Sequence, residues 1–363
     1  MSVSSLTSHA MRRDIERQPM VLAAVQARAG SFMEMGAQVL QPGSGGRLYV
    51  TGCGDGLFAA MAVQGFAERL GIDWRPMGAL DMVLSAGGFT PADRVLAISM
   101  SGNVDRTVEA AIAVRSAGVP LAVLVNTPQG GRLGQVAMAR ISLELDDVAP
   151  FLGGTASYTA TILALMAIAA GAAAAGTPPN AASVMETQRV AMTRADAVLP
   201  LLELPSGVRL LSAGAERGTV AYGAAKLVEL TKIPAWSGDL EEFAHSQYWS
   251  MPTTDLVVVV ATQSALAKYA DDACAALSEL EVATLAVDTQ ESPVPSASLR
   301  ITLPLSDSTL APLVTAVPLQ LLAASMARLS GLDPDTRAHL KSDETRFRVS
   351  RLLTRRSLVG TGS

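Results

Sequence analysis

Residue type and spacing point most directly to chemistry in the stretch Ser99-Met100-Ser101-Gly102-Asn103-Val104-Asp105-Arg106-Thr107. An apolar strand pattern from Arg94 to Ile98 runs straight into this Ser/Gly turn, and a helical pattern begins near Val104. The turn gathers hydroxyls and unspent backbone N–H groups at a helix N-terminus, where the helix dipole favours an anion. Phosphate is the usual guest of such a site. The candidate cradle is Ser99, Ser101, Gly102 and Thr107, with the Cys53-Gly54 turn and its neighbour Asp55 as the opposite wall. A dianion needs several donors converging on it with no bulky side chain in the way. The plainer reading is an ordinary Ser-capped helix start.

Other reactive side chains lie further on. Glu229 follows Lys226 by three residues on a helical pattern. A carboxylate beside an ammonium can move a proton, but by spacing alone this is an i,i+3 surface ion pair worth a few tenths of a kcal/mol. His245 stands three residues after Glu242 in Gly238-Asp239-Leu240-Glu241-Glu242-Phe243-Ala244-His245. Its imidazole titrates near neutral pH and can both give and take a proton. It can equally be a helix-end histidine resting on its own carbonyls. Lys341 is an amine nucleophile only with a lowered pKa or a nearby base, whereas Asp343 and Glu344 favour its charged form.

These groups need a scaffold. The chain has 363 residues, which suits two domains, and 49% of them are apolar, enough for sizeable cores. Aromatics are only 4%, so abundant Ala and Gly must let helices pack closely on sheets. A net charge of -5 argues against a nucleic-acid partner. Two cysteines, Cys53 and Cys274, are too few for a disulfide framework and point to a reducing, cytoplasmic setting. The N-terminal stretch has no apolar core and carries Arg12, Arg13 and Arg17, unlike a secretory signal. The longest apolar run, Ile162 to Ala175, falls short of the roughly 20 residues of a membrane span. A buried helix, and no membrane partner, is the expectation.

After a helical stretch from Met11 to Ala29, interrupted at Gln18-Pro19, strand and helix patterns alternate. Strands are expected at Arg47 to Thr51, Val95 to Ile98, Leu121 to Val125 and Ile141 to Leu145. Helices are expected at Leu57 to Leu70, Val104 to Ser116 and Thr155 to Ala175. Gly176-Thr177-Pro178-Pro179-Asn180 reads as a linker. A second set follows: helix Ala181 to Leu202, strand Val208 to Ser212, helix Thr219 to Thr231, strand Leu256 to Ala261, helix Leu266 to Leu277. Strands Val282 to Val287 and Leu299 to Leu303 precede a helix from Ala311 to Leu329. This alternation predicts βαβ units in mostly parallel sheets, and the similar halves suggest a duplication. The expected division is a lead helix (1–30), a first domain (31–177), a second domain (178–344) and a basic tail (345–363).

Several of these segments resemble one family, the isomerase half of the glucosamine-6-phosphate synthases, a tandem pair of sugar-isomerase (SIS) domains. Met11-Arg12-Arg13-Asp14-Ile15-Glu16-Arg17-Gln18-Pro19 is similar to the family's M-x-K-E-I-x-E-Q-P start. Gly52-Cys53-Gly54 is similar to its C-G-T-S turn, and Ser99-x-Ser101-Gly102 to S-Q-S-G-E. Tyr222 to His245 lies without a gap on the block E-G-A-L-K-L-K-E … G-E-L-K-H, and Leu340-Lys341-Ser342 resembles A-K-S near the family's C-terminus. Together these cover roughly Met11 to Glu344.

The resemblance implies two flavodoxin-like α/β domains, each a mostly parallel sheet of about five strands flanked by helices. It implies a hexose 6-phosphate or an amino derivative as substrate, aldose–ketose proton transfer and no cofactor. Loss or gain of an amine is a variant of the same chemistry. Glu229 would be the base that moves a proton between C1 and C2. Lys226 would hold that carboxylate charged or reach an oxygen of the intermediate. His245 would open the sugar ring, often from the neighbouring subunit, so a homodimer with a shared site is implied. Glu242 would orient His245 or act as a second carboxylate, with Glu241 solvated. Lys341 matches the lysine that forms a Schiff base with the ketose, and His339 is a weaker acid/base candidate. The chain starts at the isomerase half with no N-terminal Cys nucleophile, so no glutaminase activity is expected.

The departures are specific. Asp55-Gly56 replaces Thr-Ser, Met100 replaces the Gln between the serines, Val104 replaces a Thr, and Tyr222 replaces the first Glu of the block. Polar contacts are lost and an acid enters near the anion, so either phosphate is held more weakly or Asp55 takes an amine or a sugar hydroxyl. The second half offers Thr262-Gln263-Ser264 where the first has Ser-x-Ser-Gly. One sugar site per chain is expected. Gly52-x-Gly54-x-Gly56 is an incomplete dinucleotide fingerprint, no His/Cys cluster has metal spacing, and Trp236 and Trp249 read as packing residues. Two non-catalytic readings stay open: a sugar-phosphate sensor and a silent scaffold.

Overall fold

The computed structural model describes residues 10–149 and 152–354. Its ten described strands form two all-parallel, five-stranded sheets. The first contains β1 (Leu48–Gly52), β2 (Trp74–Gly78), β3 (Arg94–Ile98), β4 (Leu121–Val125) and β5 (Ala139–Ser142), in the order β2-β1-β3-β4-β5. The second contains β6 (Val208–Ser212), β7 (Ala235–Asp239), β8 (Leu256–Ala261), β9 (Ala283–Thr289) and β10 (Leu299–Leu303), in the order β10-β9-β8-β6-β7. Central strands such as β4 and β8 are apolar along their whole length because helices cover both faces.

The two strands that the sequence pattern does not reveal are both at sheet edges. In β2 only Trp74 is fully buried, and β7 has no buried residue. Edge strands need no continuous apolar run, and Pro76 is tolerated there. Two expected elements shift. β5 begins at Ala139 rather than Ile141, and the lead helix is three short helices: Ala10–Glu16, Gln18–Ala27 and Ala29–Val39. Pro19 fits the first turn of the second, where its missing N–H costs nothing.

The chain forms two compact bodies assembled from non-consecutive stretches, where the sequence reading divides it in order. Of the described residues, the first comprises 22–146, 160–180 and 341–354; the second comprises 10–21, 147–149, 152–159 and 181–340. In the first body, glycines set the helix packing. A Cβ on Gly36 would collide with the Ile168 carbonyl, and one on Gly171 with the Met33 carbonyl. These close crossings explain how a core so poor in aromatics fills its space. The apolar run from Ile162 lies here, buried in the Ala156–Ala172 helix.

In the second body, Gly223 of the Glu216–Thr231 helix admits Leu210 and Leu319, each 2.9 Å from where its Cβ would be. Leu319 belongs to the Pro312–Leu329 helix. Among the described residues this is the one helix long and apolar enough to cross a membrane, and 83% of it is buried within the protein. The lead segment is bonded into this body. Gln18 donates to Gln320 at 2.8 Å and accepts from Thr159, while Asp14 accepts from the Ala156 N–H and from the Thr155 hydroxyl. Asp14 thus takes up an N–H at the N-terminus of the Ala156–Ala172 helix from another element, together with the hydroxyl of Thr155 just before it.

Candidate active site

In the first sheet the chain leaves β1 towards β2 and returns on its other side to β3. Strand order reverses between β1 and β3, and open α/β sheets bind ligands at the carboxyl ends of such strands. The Cys53-Gly54 turn and the 99–104 loop both stand there. Gly54 (φ 55°) and Gly102 (φ 65°) take the left-handed backbone that glycine adopts without strain. Gly102 also leaves no room for a side chain, since its Cβ would overlap the Gly130 carbonyl. The loop is fastened from that side. Leu133 N–H donates to Gly102 O at 2.9 Å, and Arg132 reaches Asn103 O and Asp105.

Ser99 is buried at 5% exposure, and its Oγ has no hydrogen-bond partner among the described residues. A buried hydroxyl left unpaired costs about 1–3 kcal/mol, so this one is poised for an acceptor. Ser101 is exposed and its Oγ accepts from Asn103 N–H at 3.2 Å. Thr107 is buried, and its hydroxyl donates to Cys53 Sγ at 3.5 Å, bracing one wall of the crevice against the other. Cys53 is exposed. Asp55 opens the Asp55–Arg69 helix, and Val104 stands as the N-cap of the Asp105–Ser116 helix with no capping side chain.

The second sheet repeats this plan with a different filling. Gly214 (φ 62°) matches Gly54 in position, between β6 and its helix. The loop after β8 is only Thr262-Gln263. Glu216 is fully buried there, accepting from Thr262 at 3.1 Å and from Thr315 at 2.8 Å. Burial pushes its carboxyl up to about 7, against the pull of hydrogen bonds from Thr315, Thr219 and Thr262. The Gln263 amide lies over Gly214, 3.1 Å from its Cβ position.

The second body also holds Glu229 and Lys226. They share the Glu216–Thr231 helix, and Lys226 Nζ donates to Glu229 Oε2 at 2.6 Å. This is no surface pair. Lys226 is 4% exposed, with its ammonium 5.5 Å from the centre of the Tyr222 ring. Tyr222, the residue in place of the family's Glu, stacks on Tyr158 at 3.7 Å and donates its hydroxyl to Gly154 O at 2.7 Å. The turn before the Ala156–Ala172 helix is thereby pinned beside the carboxylate. A Cβ on Gly153 would stand 3.9 Å from Glu229 Oε2, so this buried glycine lies against the carboxylate. On the other oxygen, Arg337 pairs with Glu229 Oε1. His339 Nε2 donates to the Glu229 carbonyl at 3.1 Å, one of the orphan carbonyls of the helix C-terminus. Burial and then the charges of Lys232 and Arg337 depress the His339 pKa, favouring the neutral ring in that role. Gly153, Gly154 and Arg337 carry no sequence signal beyond a Gly pair ahead of an apolar helix.

His245 ends the short Leu240–His245 helix and is exposed. Its Nε2 pairs with Glu241 at 2.8 Å, not with Glu242, which is also exposed. The partner of His245 is therefore Glu241, itself exposed, rather than Glu242. Glu241 lies one turn back at i,i+4 and is fixed by a second partner, Tyr269, whose hydrogen bond followed by that of His245 lowers its pKa. The same bond pushes the Tyr269 phenol up to about 12. Trp236 and Trp249 are not packing residues: Trp249 is 78% exposed and Trp236 is 47% exposed, over Arg209 at 4.9 Å. Lys341 ends the Ala338–Lys341 helix, exposed. The basic tail is helical over Glu344–Thr354, while 355–363 lie outside the described residues.

No protein-family model matches the chain. The glutamine–fructose-6-phosphate aminotransferase (isomerizing) of Agrobacterium fabrum is 26% identical over 294 residues, 70% of this chain and 44% of that protein. The chain thus spans less than half of its curated relative. Among solved structures, the C-terminal domain of the glucosamine-fructose-6-phosphate aminotransferase of Francisella tularensis superposes with a TM-score of 0.76 at 17% identity, over 91% of this chain and 99% of that one. The fold is the tandem sugar-isomerase fold. The tagatose-6-phosphate ketose/aldose isomerase of Escherichia coli shares it, with a TM-score of 0.71 at 20% identity over 93% and 97% of the two chains. Two parallel five-stranded sheets with flanking helices are what the sequence predicted for this tandem fold.

Proposed function

We propose that this tandem sugar-isomerase chain is a phosphosugar isomerase acting on a hexose 6-phosphate or its amino derivative. The observation that carries the reading is Glu229, a carboxylate whose two oxygens are each paired with a different cation, Lys226 and Arg337. Such a group can take the proton from C2 of an open-chain aldose and return it to C1 of the enediol, giving the ketose without net gain or loss of protons. Lys226 is placed to stabilise negative charge on an oxygen of the intermediate. The phosphate is assigned to Ser99, Ser101 and the turn glycines Gly54 and Gly102, whose hydroxyls and backbone N–H groups supply donors. Asp55 is assigned to an amine or hydroxyl of the sugar, and Thr107 to the wall behind Cys53. His245, oriented by Glu241, passes the proton between anomeric hydroxyl and ring oxygen, and we assign it to the site of a twin chain. Lys341 is the candidate amine for a ketose carbonyl. The curated relative, an isomerizing aminotransferase of fructose 6-phosphate, supports the substrate class.

The test is solvent deuterium exchange at C1 of fructose 6-phosphate and at C2 of glucosamine 6-phosphate in D2O, followed by NMR. Exchange is expected with at least one. Glu229→Gln is expected to lower it by about 10³-fold, within the range for removal of a positioned base. Full exchange by that variant would remove Glu229 from the mechanism. Binding without exchange would favour a sensor.

A further inference from the structure

We infer that Arg337 is a positioning residue for Glu229, fixing the plane of its carboxylate so that one face of one oxygen is left for the carbon-bound proton. The inference rests on the isomerase reading above.

Three observations meet at this residue. First, the two oxygens of Glu229 are held separately: Lys226 takes Oε2 from the same helix one turn earlier, and Arg337 takes Oε1 from the segment that follows the Pro312–Leu329 helix. One cation would leave the carboxylate free to rotate about its last bond; two on different oxygens stop that rotation. A carboxylate has about four lone-pair positions, so two donors still leave a site for a proton. Second, Arg337 is itself held. It adopts a left-handed backbone (φ 49°), rare for a side-chain-bearing residue. The segment is anchored on one side by Asp335, which accepts from the Ala10 and Met11 N–H groups at 2.7 and 2.9 Å. On the other side His339 donates to the Glu229 carbonyl. Side chain and main chain of Glu229 are thus gripped by residues two apart. Third, the pair is mostly shielded, with both side chains 23% exposed, so its electrostatic strength is less screened than that of a surface pair.

The alternative geometric role is a plug, with Arg337 blocking the base until substrate displaces it. The seating of the two oxygens on separate cations, Lys226 on Oε2 and Arg337 on Oε1, argues for positioning. The two roles predict opposite effects on rate. Among the described residues the charged partners of the carboxylate are Lys226 from its own helix and Arg337 from the following segment; His339, on the Glu229 carbonyl, and Lys232, which acts on His339, lie beside that segment, and the Gly153-Gly154 turn presents backbone only.

The experiment compares wild type, Arg337→Gln and Arg337→Lys by deuterium exchange at C1 of fructose 6-phosphate or C2 of glucosamine 6-phosphate. In parallel, the Glu229 side-chain carboxyl is titrated by 13C NMR, its signal assigned by its loss in Glu229→Gln. Arg337→Gln is expected to lower kcat about 10- to 100-fold with KM changed less than about 3-fold, the signature of a misaligned group. It is also expected to move the acidic limb of the rate profile to higher pH, because removing a cation makes the carboxylate easier to protonate. Arg337→Lys is expected to recover most of the rate. A faster Arg337→Gln would establish the plug and overturn positioning. Equal losses in both variants with a lowered Tm and an unmoved pH profile would make the residue merely structural. If wild type exchanges neither probe, the isomerase reading fails by itself. The Glu229 titration still decides for Arg337: its midpoint rises in Arg337→Gln if the residue controls this carboxylate, and an unchanged midpoint rejects the inference.

Discussion

The crevice at the end of β1 and β3 and the crevice at the end of β6 and β8 are the same piece of topology put to opposite uses. Both have a left-handed glycine after the first strand, Gly54 in one and Gly214 in the other. In the first, the loop after β3 is long, turns at Gly102, and leaves the buried Ser99 hydroxyl without a partner. In the second, the loop after β8 is short, and the space is taken by the protein's own polar groups: the Glu216 carboxyl among Thr262 and Thr315, and the Gln263 amide over Gly214. The two crevices share a backbone plan and differ in side-chain filling, and the proposed phosphate site rests on that difference.

The largest expected effect comes from the glycines. Gly102→Val adds a branched side chain at positive φ where its Cβ meets the Gly130 carbonyl. A loss of about 3 kcal/mol or more in urea unfolding is expected, with no binding of fructose 6-phosphate. Gly214→Val meets only the end of a flexible glutamine, and about 1–2 kcal/mol is expected there. Equal losses would erase the contrast between the two loops.

The next effect is a pH dependence specific to the filled crevice. The folded pKa of Glu216 is raised to about 7. Its folded-state penalty is therefore absent below the unfolded value near 4.5, grows between there and about 7, and is constant above. Glu216→Gln removes it. Relative to wild type, the variant is expected to gain on the order of 3 kcal/mol between pH 4 and pH 8 in denaturant titrations. A gain that did not grow with pH would show that the carboxyl is not desolvated.

The smallest effects sharpen the contrast in binding. Ser99→Ala removes an unpaired hydroxyl, so stability should stay within about 1 kcal/mol of wild type, while fructose 6-phosphate affinity drops about tenfold by calorimetry. Thr262→Ala in the second crevice should leave that affinity unchanged. The reverse pattern would move the phosphate to the other sheet.

Much of this was legible because it is local. Ser99-x-Ser101-Gly102 follows an apolar strand directly, and the three-residue step from Lys226 to Glu229 sets one helical face. The buried strands announce themselves as apolar runs. What stayed hidden depends on distant partners. β2 and β7 are edge strands whose half-exposed residues carry no run. Glu216 looks like any acidic residue in a first helical turn until Thr262 and Thr315 close around it. Arg337 reaches Glu229 only after the chain returns from the Pro312–Leu329 helix. The exchange of Glu241 for Glu242 beside His245 turned on Tyr269, a residue of another helix that no spacing rule connects to them.

The most direct measurement is a crystal structure with fructose 6-phosphate bound to the Glu229→Gln variant. The phosphoryl group should lie within hydrogen-bond distance of Ser99 Oγ and the 99–102 backbone, with the Gly214 crevice still filled by Gln263 and Glu216. A phosphoryl group seated at Gly214 instead, with Ser99 still unpartnered, would contradict the account.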